Sequence, residues 1–193
     1  GAFDVGYKLG SAYDAPKKID KAKNLPDYKI MDGNKALGIG LLAGGINYIS
    51  SYPMSPGTAI LSFLSEKGEA FDVLAEQAED EIAALNMAIG AGYAGARGMI
   101  TTSGGGFALM SEALSLAGIT ESPVVIHIAQ RPGPATGLPT RTEQGDLNLA
   151  VYAGHGEFPR IVLTPGNIED GLKLAQVAPW LADKYQIPVF LLT

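Results

Sequence analysis

The sequence contains no cysteine. That excludes disulfides and any cysteine-ligated iron–sulfur cluster within this chain, so such a cluster would have to sit on another. Charge is also scarce. Asp, Glu, Lys and Arg make up 18% of the residues, against about 25% in ordinary soluble domains, which leaves more surface for a partner. Buried parallel sheets lower the charged fraction in the same way. The net charge of −6 argues against nucleic acid as a partner, and no basic cluster exceeds the Lys17–Lys23 stretch. No uninterrupted apolar run of the membrane-spanning kind and no signal-peptide layout are present, so the expectation is a cytoplasmic protein with no membrane partner. What remains is 193 residues, 47% of them hydrophobic, enough for one domain around a single sizeable core.

The first thirty residues, with Pro16 and Pro26, read as an N-terminal arm or linker (1–30), and 31–193 as the globular domain. Within it helical and strand patterns alternate. Asn34 is placed to cap a helix through Leu37 and Leu42 that Gly44–Gly45 closes. Strands are expected at Ile46–Ser50, Phe71–Ala75, Gly98–Thr102, Pro123–Ala129, Ile161–Leu163 and Pro188–Leu192. Helices are expected at Thr58–Leu64, Ala108–Leu116 and Ile168–Leu181, with a turn at Gly104–Gly106. From Ile82 to Ala96 there is no charge, and small residues recur through Ala84, Ala88, Gly90 and Ala91. That pattern describes a helix buried on most sides. The alternation predicts an α/β fold, a doubly wound, mostly parallel sheet of about six strands with helices on both faces. The last strand ends at the final residues, as expected of a fragment of a longer chain.

Ligands of open α/β sheets bind at the carboxyl ends of the strands, near a topological switch point. Four segments leave strands at that edge: Tyr52–Pro56, Glu76–Glu81, Ser103–Gly106 and Gln130–Asp146. Glu79, Asp80 and Glu81 would complement a helix N-terminus whatever else they do. Gly104–Gly106 lacks the Lys-Ser/Thr of a P-loop, and Gly-x-Gly-x-x-Gly is absent, so it reads as a turn or as a close backbone approach to a cofactor ring. His127 falls mid-strand, where a satisfied core histidine is the ordinary outcome. His155 stands between two glycines with no mechanism attached. Neither has a metal-ligand or triad spacing.

Several motifs, in order, carry a resemblance. Gln77-Ala78-Glu79-Asp80-Glu81 followed by Ile82–Asn86, Tyr93–Arg97, and Thr101-Thr102-Ser103-Gly104-Gly105-Gly106-Phe107 are three of them. The others are the loop Gln130-Arg131-Pro132-Gly133-Pro134-Ala135-Thr136-Gly137-Leu138-Pro139-Thr140-Arg141-Thr142-Glu143-Gln144, the segment Gly154–Arg160, and Tyr52-Pro53-Met54-Ser55-Pro56. Together they are similar to the pyrimidine-binding domain of the alpha subunits of thiamine-diphosphate-dependent 2-oxoacid:ferredoxin oxidoreductases. The 2-oxoglutarate-type members are the nearest.

The resemblance implies that Glu81 hydrogen-bonds the aminopyrimidine ring of thiamine diphosphate and favours the tautomer that activates the thiazolium carbon. It implies that Arg131 contacts the 2-oxoacid carboxylate, with Arg141 the competitor for that role, since a guanidinium fork suits a planar carboxylate. Ser55 stands where the family's Tyr-Pro-Ile-Thr-Pro has Thr, and Met54 replaces Ile. The substrate-binding hydroxyl is kept and its methyl is lost. Tyr52, Pro53, Ser103 and Gly104 are the further cofactor contacts that the resemblance implies. Gly-Asp-Gly followed by Asn, which holds diphosphate and Mg²⁺ in these enzymes, is absent, and Gly145-Asp146-Leu147-Asn148 imitates it poorly. Mg²⁺ and the iron–sulfur cluster are therefore expected on a beta-type partner subunit, with ferredoxin and coenzyme A as further partners. The rival readings are an interaction or regulatory domain that kept the fold without catalysis, and a nucleotide-binding α/β domain, which the missing phosphate motifs disfavour.

Overall fold

The structure is a computed structural model, and it describes residues 1–13, 20 and 29–193. The chain divides into two units, Gly1–Ile30 and Met31–Thr193. In the first, the segment expected as an arm or linker contains helix α1 (Ala2–Ser11), which buries none of its residues. Pro16, Pro26 and the lysines of the Lys17–Lys23 stretch lie outside the described residues.

The second unit alternates helices and strands along the chain: α2 (Gly33–Ala43), β1 (Tyr48–Ser51), α3 (Thr58–Phe71), β2 (Leu74–Gln77), α4 (Glu81–Tyr93), β3 (Gly98–Thr102), α5 (Gly104–Leu109), α6 (Ser111–Ile119), β4 (Val124–Ile128), α7 (Leu147–Tyr152), β5 (Ile161–Leu163), α8 (Ile168–Tyr185) and β6 (Pro188–Leu192). All five strand pairings are parallel. The sheet order is β2-β1-β3-β4-β6-β5, a doubly wound α/β arrangement.

Period-two alternation sends the central strands β3, β4 and β6 into both cores. Val124, Ile126 and Ile128 of β4, with Phe190 and Leu192 of β6, face Leu85 and Ala88 of α4, Phe107 of α5 and Leu114 of α6. Val125, Val189 and Leu191 face the other way, onto Leu41 of α2, Leu64 of α3 and Ala178 of α8. Phe107 meets Phe190 edge to face, with ring centroids 5.2 Å apart. Burying each such side chain contributes about 1.5–3 kcal/mol, which fixes the first turn of α5 against the sheet.

Three local expectations are corrected. Asp32, not Asn34, caps α2, because its carboxylate accepts from Lys35 N at 2.9 Å. Gly104–Gly106 is the opening turn of α5 rather than a free turn. The helix expected over Ala108–Leu116 is two helices, α5 and α6, meeting at Met110.

Candidate active site at the carboxyl edge of the sheet

The order β2-β1-β3 means that the chain leaves β1 in one direction and returns to its other side. This is the switch point where a crevice opens. Register between β1 and β3 is kept only at Tyr48–Gly98 and Ile49–Met99. Beyond it, Thr101 N finds its acceptor in the Ser51 hydroxyl at 2.9 Å. The strands part at the edge where the ligand-binding segments were expected.

Glu81 opens α4 from the end of β2. Asp80 does the capping, accepting from Ala83 N at 2.7 Å, so Glu81 is not needed as a cap. Its side chain is buried at 4% exposure, and Oε1 has no hydrogen-bond partner. A buried carboxylate oxygen without a donor is costly and is rare in folded proteins.

The three glycines of α5 each face a different group. A β-carbon on Gly106 would lie 3.0 Å from Glu81 Oε1 and would collide with the Thr102 hydroxyl. One on Gly105 would press on the Ala135 carbonyl at 3.1 Å, and one on Gly104 would overlap the Asp146 carboxylate. The sequence needs glycine here for close approach from three sides.

Arg131 is positioned by the ladder at the end of β4, where Gln130 N donates to Thr193 O at 2.8 Å. Its side chain is 8% exposed. Nη1 donates to the Ser55 carbonyl at 2.6 Å, and Nε is buried without a partner. Ser55 itself is exposed. The loop before it is pinned where Ser103 Oγ, fully buried, donates to Met54 Sδ at 2.7 Å. Tyr52 is exposed and Pro53 half-buried. Arg141 is exposed, and only its backbone is tied, to Leu138 O at 3.0 Å. The structure thus brings together Glu81, Ser103, Gly104, Arg131 and the Tyr52–Pro56 loop through chained contacts, and leaves Arg141 outside.

One group was not among the expected site residues: Asp146, which lines the cavity beside Arg131; its position just before an apolar helix was the available signal. His127 is the satisfied core histidine expected of a mid-strand position, and it also anchors the loop. The Thr101 hydroxyl has one proton and lies 3.0 Å from the Gly57 carbonyl and 2.7 Å from His127 Nδ1. Donating to Gly57 satisfies every atom if Nδ1–H donates to Thr101 and Nε2 accepts from the Thr193 hydroxyl at 3.0 Å. Gly57 follows the Tyr52–Pro56 loop directly, so His127 holds the far end of that loop. Full burial pushes the His127 imidazole down from 6.5 to about 4.

Stability follows from the sign of that shift. Above pH 6.5 the ring is neutral folded and unfolded, and its contribution is fully present. As pH falls from 6.5 toward 4, the unfolded chain takes up the proton first, and stability drops by on the order of 3 kcal/mol. Denaturant unfolding of the wild type should show this loss across pH 6.5 to 4, and a His127→Gln variant should lack it. A parallel loss in the variant would assign the effect to other groups.

His155 is exposed; its amide donates to Ser115 Oγ at 3.0 Å. It lines a separate cavity of about 410 Å³ with Glu112 and Phe158. Among the described residues no group of three or more His, Asp and Glu is arranged to hold a metal, and no helix is long and apolar enough to cross a membrane.

A parallel α/β sheet with a crevice at its switch point and a buried, unsatisfied carboxylate at the mouth has the geometry of a ligand-binding α/β domain. Comparison makes this specific. Residues 39–193 match the family described as pyruvate flavodoxin/ferredoxin oxidoreductase, thiamine diP-binding. The chain is 45% identical over 171 residues to the alpha subunit of 2-oxoacid:ferredoxin oxidoreductase 1 of Sulfurisphaera tokodaii, covering 82% of this chain and 27% of that one. It is 43% identical over 201 residues to the 2-oxoglutarate oxidoreductase subunit KorA of Mycobacterium tuberculosis, covering 100% and 31%. A solved 2-oxoglutarate:ferredoxin oxidoreductase from Magnetococcus marinus, with 2-oxoglutarate, coenzyme A and succinyl-CoA bound, superposes with a TM-score of 0.90 at 41% identity. That match covers 100% of this chain and 34% of that one. The chain belongs to the thiamine-diphosphate-binding domain family of the pyruvate flavodoxin/ferredoxin oxidoreductases, and spans about a third or less of the length of the relatives just named.

Proposed function

We propose that residues 31–193 are the pyrimidine-binding domain of a cytoplasmic 2-oxoacid:ferredoxin oxidoreductase, one half of an active site completed by a beta-type subunit. The observation that carries the reading is Glu81 Oε1, buried and without a donor at the switch-point crevice. The ring nitrogen of an aminopyrimidine, once protonated, offers the missing N–H, so the residues present fit thiamine diphosphate. Tyr52, Pro53, Ser103 and Gly104 would form the wall beside it. When bound, thiamine diphosphate supplies the electron sink for decarboxylation of a 2-oxoacid.

The chain's own residues then orient and hold charge. Glu81 keeps a proton on the ring nitrogen it faces, in a site where burial strengthens the interaction. Arg131 presents Nε–H to the substrate carboxylate while Nη1 keeps the Ser55 carbonyl, and the Ser55 hydroxyl is the neighbouring donor. An anion is what a buried guanidinium with an open donor requires. Names of relatives such as the M. tuberculosis protein support 2-oxoglutarate as the substrate. The absence of Gly-Asp-Gly and of cysteine from these residues supports a beta-type subunit as the carrier of Mg²⁺, the diphosphate contacts and the iron–sulfur cluster, with ferredoxin as electron acceptor and coenzyme A as acyl acceptor.

Calorimetric titration tests the half-site directly. This chain alone should bind thiamine diphosphate weakly or not at all, and the assembled subunits tightly with Mg²⁺. A tight Mg²⁺-dependent site on this chain alone would overturn the composite site. Failure of the assembled subunits to reduce ferredoxin with any of a panel of 2-oxoacids would overturn the activity.

A further inference from the structure

Asp146 precedes α7, where an aspartate ordinarily caps the helix, yet its side chain makes no capping hydrogen bond. Its amide is held from the end of β4 by Gln130 Oε1 at 3.1 Å, which turns the carboxylate over Gly104. Oδ2 is buried there without a partner, as Arg131 Nε is. The two residues line one half-open cavity of about 200 Å³, bordered by Gly104, Gly105, Pro134 and Leu149, and they do not come within the 4.0 Å of an ion pair. A gap between a buried donor and a buried acceptor is shaped for a ligand.

A 2-oxoacid brings only acceptors, its carboxylate and its keto oxygen. These suit Arg131 but set two anions against each other at Asp146, and adjacent like charges disfavour each other's ionised form. One proton removes the conflict.

Resting on the activity proposed above, we propose that Asp146 is a further substrate-binding residue, which takes up a proton as the 2-oxoacid enters the Arg131 cavity and donates it in a hydrogen bond to the substrate. The surroundings agree with this. Burial pushes the Asp146 carboxyl up, the charge of Glu143 pushes it further, and Arg131 opposes both. The other cavity-lining residues of α5 and α7, Gly104, Gly105, Ala108 and Leu149, carry no titratable group.

Proton uptake on binding makes KM rise with pH above the Asp146 carboxyl's pKa, by up to about tenfold per pH unit. The test uses the assembled holoenzyme and 2-oxoglutarate, with KM and kcat measured from acid to alkaline pH. The wild type should show the rise in KM. Asp146→Asn, whose amide donates without titrating, should hold KM flat near the wild type's low-pH value. Asp146→Ala should raise KM by about tenfold or more at low pH, the worth of one hydrogen bond to a charged group. A wild-type slope retained in Asp146→Asn, or an unchanged KM in Asp146→Ala, overturns the proposal. So does an equal rise in both variants with a matching fall in Tm, which marks a structural role. Wild-type enzyme inactive on every 2-oxoacid fails earlier, at the activity itself.

Discussion

Glu81→Gln in the assembled enzyme is expected to lower turnover by about 10²- to 10⁴-fold, the range for losing a positioned acid–base group, while cofactor affinity stays within a few-fold. Glutamine has the same shape, so it fits against Gly106 and still reaches the ring nitrogen. Its amide is too weakly basic to hold the proton there. Exchange of the cofactor's thiazolium hydrogen with deuterated solvent should slow in step with turnover. If Glu81 acted only on the helix dipole, the change would cost about 0.3–1 kcal/mol of stability and leave exchange at the wild-type rate. Asp80 already caps α4, which makes that alternative the weaker one. Wild-type exchange in the variant would end the catalytic assignment of Glu81.

The second large effect is expected at Arg131. Removing a charged hydrogen-bond donor costs about 1.5–3 kcal/mol or more, so Arg131→Ala should lower kcat/KM for the 2-oxoacid by about 10- to 150-fold. The loss should exceed that range if freeing the Ser55 carbonyl lets the Tyr52–Pro56 loop drift. Arg141→Ala should stay near wild type, because that side chain is exposed and holds nothing. The reverse order of effects would move the substrate carboxylate to Arg141.

Strands β3, β5 and β6 fall where the residues place them, because buried parallel strands are short apolar runs with clear breaks at both ends. Helix α3 runs seven residues past its expected end at Leu64. Apart from the buried Gly68 and the half-buried Lys67, Ser65–Phe71 faces water, and a solvated helical face carries little apolar signal. Helix α1 escaped notice for a related reason, since it buries nothing and so has no core stripe to read. In the site, Glu81 and Arg131 were legible through long motifs, and burial with an open polar atom is what the structure adds to each. Asp146 was set aside because Gly145-Asp146 was weighed only against a diphosphate-binding pattern. Its task depends on Gly104, forty-two residues earlier, and no local spacing encodes that approach. The tautomer of His127 likewise needed the Gly57 carbonyl in view.

The glycine triplet bears on how this domain can diverge. Positions 104, 105 and 106 are bounded by an acid from the long loop, a carbonyl from the same loop, and an acid with a hydroxyl from two other elements. A side chain gained at any one of them displaces a different neighbour, so no single compensating change elsewhere could relieve all three. Drift through this segment requires a neighbour to shift at each position, whereas the exposed positions of α4, with Ile82, Met87 and Tyr93, are constrained only by whatever covers them. Among relatives that have separated in substrate, these exposed α4 positions should therefore vary before the glycine triplet does.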